Sequence, residues 1–297
     1  MTNMGNPIGV HSQVFAAAWE GEQRRAVAER AAAAGFGFLE VTVMDPQRFD
    51  VPGTRAALDA AGLGIACSTA MRLETDLSSA DRAISARGEA HMRTMLELAS
   101  ELEAQWLVGV TYGAWAKYPA APTQAGTANA VEALGRIAAR ADELGVSIGM
   151  EVLNRFENNL VNTTAQARAI VEQVGSPRLR VQLDSYHAHL EENSQADAVA
   201  GCGEHLGYLH VGESHRGRLG TGSVDFAQLF AAVAAQRFSG PIVYEAFSAN
   251  VVGAAAAPLL CVWRDQWEDS DEVAADARRF IAAQLRTARA AAAGSAS

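Results

Sequence analysis

Four residues whose side chains can hold a cation stand at matching places in the later half of this 297-residue chain. They are Glu151 in GMEVLNR, Asp184 in VQLDSYH, His210 in YLHVGESHRG and Glu245 in VYEAF. Each follows a short apolar run. Three carboxylates gathered at one place repel one another unless a cation compensates them, so their convergence would itself predict a metal centre. Oxygen donors with one imidazole suit Mn²⁺, Mg²⁺ or Co²⁺ better than the thiolate-rich sets of structural zinc.

The elements that must position these residues are legible as a repeated theme: a β-branched or apolar run, then a longer Ala/Leu/Glu/Arg-rich stretch at helical period. Eight such runs begin near Ile8, Phe38, Ile65, Trp106, Ser147, Leu179, Leu206 and Pro241. Helical stretches lie between them, among them Glu22 to Ala34, Arg82 to Glu103, Thr127 to Leu144, Thr164 to Val174 and Phe226 to Gln236. Gly35, Gly62, Gly145 and Gly175 punctuate the returns from helix to strand, where a helix C-cap calls for positive φ. Residues 1–297 therefore read as one α/β domain, a single (β/α)₈ TIM barrel with an additional C-terminal helix from about Asp271 to Ala290. A frayed, disordered tail is expected over about 291–297.

A barrel of this kind carries its active site at the carboxyl ends of its strands, where the four ligand-type residues fall. Strands five and eight lie three steps apart around an eight-strand ring, so Glu151 and Glu245 approach a bound ion from nearly opposite walls. That geometry permits a two-base reaction. One group removes a proton beside a carbonyl from one face, and the other returns a proton to the opposite face of an enediolate whose charge a metal stabilises.

Composition narrows the field further. With 49% apolar and 20% charged residues the chain can bury a large core, and its net charge of −10 argues against a nucleic-acid partner. Cys67, Cys202 and Cys261 are widely spaced without a C-x-x-C pair, which suits core thiols in a reduced compartment. Neither a signal-type N-terminus nor a membrane-length apolar stretch is present in the sequence, so no membrane partner and a cytoplasmic location are expected. Met92, Met95, Leu96 and Leu98 read as a core stripe, and Glu191 and Glu192 as solvated. The Gly-rich LGTGSVDF stretch lacks the strand, spacing and lysine of a phosphate-binding loop, so it reads as a flexible loop.

Over nearly its whole length the chain resembles the ketose 3-epimerases (D-tagatose, D-allulose and L-ribulose 3-epimerases), a family of xylose isomerase-like TIM barrels. The resemblance rests on GMEVLNRFENNLVNT, VQLDSYHAHLEEN, HVGESHRGRLGTGSVDF and VYEAFS, with CVWRDQW in support. It implies that Glu151, Asp184, His210 and Glu245 bind the metal and that Glu151 and Glu245 are also the catalytic acid/base pair. It implies further that Glu157, His187 and Arg216 hold the O1 and O2 end of a small-molecule ketose. His11, Phe15, Trp19, Tyr112 and Trp115 would line the pocket around the far end, Trp115 foremost. A homodimer or homotetramer is expected on the same ground.

Ala188 and His189 depart from the Met-Asn pair usual after the His, and Arg218 from a common aromatic, which bears on substrate preference more than on reaction type. His189 is expected to point into its loop. Glu40, ending the second strand, would orient a ligand or a substrate hydroxyl, or serve as a structural hydrogen-bond partner. An aldose–ketose isomerase on the same barrel, a metal-dependent endonuclease and a non-catalytic sugar- or metal-binding protein are the competing readings, the acidic balance weighing against the endonuclease.

Overall fold

The computed structural model describes residues 5–294. Eight strands, β1 (Ile8–His11), β2 (Phe38–Thr42), β3 (Gly64–Met71), β4 (Trp106–Ala114), β5 (Ser147–Glu151), β6 (Leu179–Asp184), β7 (Leu206–Val211) and β8 (Ile242–Tyr244), pair in parallel around a closed ring. Helices α1 (Gly21–Ala33), α2 (Val51–Ala61), α3 (Arg82–Glu101), α4 (Gln124–Leu144) and α5 (Thr164–Val174) cross over between the earlier strands. Behind them come α6 (Ser185–Glu191), α7 (Gln195–Cys202), α8 (Phe226–Ala235), α9 (Ala249–Leu260) and α10 (Ser270–Gly294). This is the expected TIM barrel.

The period of two along each strand sorts the side chains between two environments. Residues such as Val10, Leu39, Cys67, Leu107, Ile148, Val181 and Leu209 join the continuous core between barrel and helices. Their alternates Ala66, Val108, Tyr208 and Val243 form a small separate cluster with Phe38 and Trp106. That cluster plugs the barrel below the site. Gly9 makes room for it, since a Cβ there would lie 2.5 Å from the Phe38 ring. Two residues further along the same inward parity come His11, Glu40, Gln182, His210 and Glu245, and register sets His11 beside Glu40 and Asp184 beside His210.

Local signals place the helices. Thr163 and Gln166 form a reciprocal capping box at the start of α5, and Gly35, Gly62, Gly145 and Gly175 all adopt positive φ. One boundary differs from the sequence reading. Helix α10 continues through Gly294, so 291–294 is helical and not a frayed tail; its run of alanines keeps the backbone helical at little entropic cost. Residues 295–297 of the expected tail lie outside the described residues. Cys67 and Cys202 are core thiols, but Cys261 is exposed, because it is the left-handed residue that ends α9. Among the described residues no helix is long and apolar enough to cross a membrane.

Candidate active site

Glu151 ends β5, Asp184 ends β6, His210 is the penultimate residue of β7, and Glu245 follows β8 directly, its amide still bonded across to Val211 O (3.2 Å). One ligand atom from each lies within 4.8 Å of all the others, and all four residues are buried. His210 is the hub. Its Nδ1 lies 3.4 Å from Glu151 Oε1 and 3.5 Å from Glu245 Oε1. Asp184 divides its oxygens: Oδ1 accepts the Tyr186 amide at the start of α6, and Oδ2 faces the cluster. That cap starts a helix whose first turn presents His187 on the same side.

Glu40, Glu151, Asp184 and Glu245 bring four buried carboxylates together, and the nearest permanent cation is Arg216. Its Nη1 donates to Asp184 Oδ2 at 2.9 Å and also to Glu245. Arg216 adopts φ +62°, which is costly for a non-glycine residue, and this turns its side chain inward over the Tyr186 ring at 3.7 Å. Electrostatics follow from the imbalance. Burial raises the Glu151 carboxyl above its usual range. Burial also works to raise Glu245, but His210 and Arg216 outweigh it and hold that group well below. Burial opposes a charge on His210, yet Glu40 and Glu245 override it and push the imidazole well above its ordinary value. Three ligand carboxylates and one imidazole, with negative charge in excess, fit a hard divalent cation.

Glu157, His187, Arg216, Trp115 and His11 line a cavity of about 110 Å³ together with Glu40 and three of the cluster residues, Glu151, His210 and Glu245. Trp115 Nε1 donates to Glu157 Oε2 (2.7 Å), and Asn154 Nδ2 donates to Glu157 Oε1 (2.7 Å). Burial acts against the Glu157 charge, but His187 and Arg216 keep its carboxyl below the ordinary range. A larger cleft of about 510 Å³ adjoins this cavity, the two sharing Glu157, Arg216 and Leu260.

A family model described as xylose isomerase-like TIM barrel matches residues 28–284. The ketose 3-epimerase of Arthrobacter globiformis is 40% identical over 278 residues, covering 94% of this chain and 96% of the relative. The L-ribulose 3-epimerase of Methylomonas sp. strain DH-1 is 39% identical over 273 residues, with 92% and 96% covered. The chain belongs to the ketose 3-epimerase family. Among solved structures, D-allulose 3-epimerase from Methylomonas sp. in complex with D-allulose superposes with a TM-score of 0.91 at 38% identity, covering 94% of this chain and 97% of that one. The epimerase family is one of isomerase-class enzymes, and the barrel mouth just described is where this member carries its acidic cluster.

Several residues of this epimerase-family site depart from the sequence reading. Tyr112 is fully buried with its hydroxyl 3.4 Å from Val161 O, Trp19 Nε1 donates to Thr54 Oγ1 (2.9 Å), and Phe15 packs in the core beneath Arg30. None of these three lines the cavity. Phe15 and Trp19 lie past the end of β1, and Tyr112 follows the irregular stretch of β4 after Gly109, none of which residue type alone reveals. Glu191 and Glu192 are half-buried and held in place; Glu191 accepts from the Arg155 amide and guanidinium, and Glu192 from the Thr164 amide and hydroxyl. His189 is exposed and reaches Ser223 Oγ (3.0 Å), outside the cluster as expected.

The Gly-rich loop is pinned rather than flexible. Fully buried Glu213 accepts from the amides of Ser214 (2.8 Å), Gly220 (2.9 Å) and Val224 (3.2 Å), so the anion the loop cradles is internal. A Cβ at Gly222 would lie 2.5 Å from Glu213 Oε1, which explains the glycine. Asn154 and Glu213 carried no signal of their own in the sequence. The three-residue spacing from Asn154 to Glu157 was the one available hint.

Proposed function

We propose that this protein epimerises free ketoses at C3, with Glu151 and Glu245 as the proton-transfer pair and a divalent ion, Mn²⁺ foremost, held by Glu151, Asp184, His210 and Glu245. The observation that carries the reading is that carboxylates from β5 and β8, three strands apart, reach the same imidazole nitrogen at 3.4 and 3.5 Å. Two acid/base groups thus flank one small space. Bound there, a divalent ion supplies Lewis acidity that draws electrons from a chelated carbonyl and makes the neighbouring C–H more acidic.

The remaining residues account for binding. His187 Nδ1 accepts from the Asn154 amide (3.1 Å), so Nε2 carries the proton; it faces Arg216 Nη2, also a donor, at 3.1 Å. Two donors aimed at each other call for a shared acceptor, and a carbonyl or hydroxyl oxygen at the O1 and O2 end of a ketose is one. Glu157, fixed by Trp115 and Asn154, accepts from a hydroxyl. His11 and Trp115 stand along the wall facing the rest of the sugar. With the substrate so fixed, one glutamate takes the C3 proton and the other delivers a proton to the opposite face. Exposed Phe156, Leu259 and Trp263 around the outer cleft support a homodimer or homotetramer.

Incubating enzyme, Mn²⁺ and D-fructose or D-allulose in D₂O tests the chemistry. Deuterium is expected at C3 of the product. Its appearance at C1 and never at C3 would sink the reading in favour of aldose–ketose isomerisation.

Metal binding has its own signature. Ligands must be deprotonated, whereas without the ion His210 and Glu151 hold protons above their ordinary ranges. Affinity for Mn²⁺ should therefore fall as pH falls. Calorimetric titrations in buffers of different protonation enthalpy are expected to show net proton release on binding; a buffer-independent heat would contradict this.

A further inference from the structure

Glu40 is a buried acid of β2 that the proposed chemistry does not use. Its side chain is fully enclosed. Oε2 accepts from Tyr208 Oη (2.8 Å) and lies 2.8 Å from His210 Nε2, while Oε1 is buried without a hydrogen-bond partner. An ionised carboxylate with a naked oxygen is an expensive group to bury. Glutamine would keep an acceptor toward His210 without the charge, so packing alone does not account for the acid.

The geometry around the imidazole says what the charge does. With Glu40 Oε2 accepting at Nε2, the proton of neutral His210 sits on that nitrogen, and the lone pair is left on Nδ1, the atom facing Glu151 and Glu245. Gln182 does not compete for that lone pair. Its Oε1 takes the Gly109 amide (2.7 Å), which positive φ at Gly109 turns inward, and its Nε2 lies 3.3 Å from both ring nitrogens, over the ring and in line with neither. Register also fixes Glu40 from the other side, beside His11.

We infer that Glu40 is a positioning residue: it holds His210 in the tautomer that offers Nδ1 to the divalent ion, and its negative charge strengthens that nitrogen as a ligand. This deepens the proposed function and rests on its divalent-ion site. A carboxylate behind a metal-bound histidine fixes ring orientation and raises ligand basicity, and losing it weakens metal binding by roughly 10- to 100-fold.

The test compares Mn²⁺ affinity of wild type and Glu40→Gln by titration of the metal-free full-length protein, with thermal unfolding of both metal-free forms. The expected result is a dissociation constant raised about 10-fold or more in Glu40→Gln. The metal-free unfolding midpoint should fall modestly, because Tyr208 and His210 lose the carboxylate they share. A merely structural Glu40 would give the lower midpoint with unchanged affinity, so the affinity decides. Should Glu40→Gln fail to fold, Glu40→Asp keeps the charge but withdraws it from Nε2 by one methylene, and the same loss of affinity is expected. Mn²⁺ binding by a folded variant within about twofold of wild type overturns the inference alone. Absence of Mn²⁺ binding by the wild type overturns the metal reading itself.

Discussion

Glu245→Gln and Glu151→Gln, each assayed at saturating Mn²⁺, are expected to lower kcat for C3 epimerisation by roughly 10³- to 10⁴-fold, the upper part of the range for losing a positioned acid/base group. The carboxamide nearly matches the carboxylate in size, so the barrel mouth need not repack. It cannot take a proton from carbon. The two variants should also fail differently. In a two-base reaction each glutamate serves one face, so Glu245→Gln retains Glu151 and should still exchange the C3 hydrogen of one epimer with solvent without converting it. Glu151→Gln should do so with the other epimer. Following C3 deuterium wash-out from each pure epimer by NMR reads this directly. Loss of exchange from both epimers in both variants would mean that the glutamates act as one unit.

Removing the divalent ion should have the second large effect, on turnover and stability together. Chelation followed by desalting is expected to abolish detectable epimerisation, and Mn²⁺ to restore it. Without the ion, Glu40, Glu151, Asp184 and Glu245 remain buried with Arg216 as their compensating guanidinium. A ligand that binds only the folded state at 100 times its dissociation constant adds about 2.7 kcal/mol, which for a domain of this size corresponds to roughly 5 °C in the unfolding midpoint. Protons replace part of the missing charge. Because the Glu151 and His210 pKa values are raised in the metal-free site, the midpoint gap should narrow toward acidic pH and widen toward alkaline pH. Equal midpoints with and without Mn²⁺ across the pH range would contradict a buried ion at this place.

Arg216 shows where reading the chain stops and folding begins. The family resemblance of its motif implies a sugar-binding role, but its left-handed backbone and its stacking on Tyr186 depend on a loop wound around Glu213. Asn154 is similar: its side chain fixes Glu157 within its own loop, while its amide fixes the His187 tautomer across to the segment after β6. Tyr112 and Trp19 show the opposite error. Aromatic residues near strand ends look alike in sequence, and only the path of the chain beyond each strand and the partners it meets decide which of them, such as Trp115, reaches the cavity.

By itself the sequence determined the eight βα units, because periods of two and 3.6 residues and glycine caps are local properties of the backbone. It determined as well which strands end in ligand-type side chains, since the barrel fixes which end of each strand is the mouth. Tertiary structure alone decided which oxygen and which nitrogen each of those groups presents. Asp184 gives one oxygen to a helix cap, Glu40 claims one nitrogen of His210, and the other atoms are thereby aimed at a common point. Those choices are set by hydrogen bonds between strands and loops far apart in the chain, and no local pattern records them.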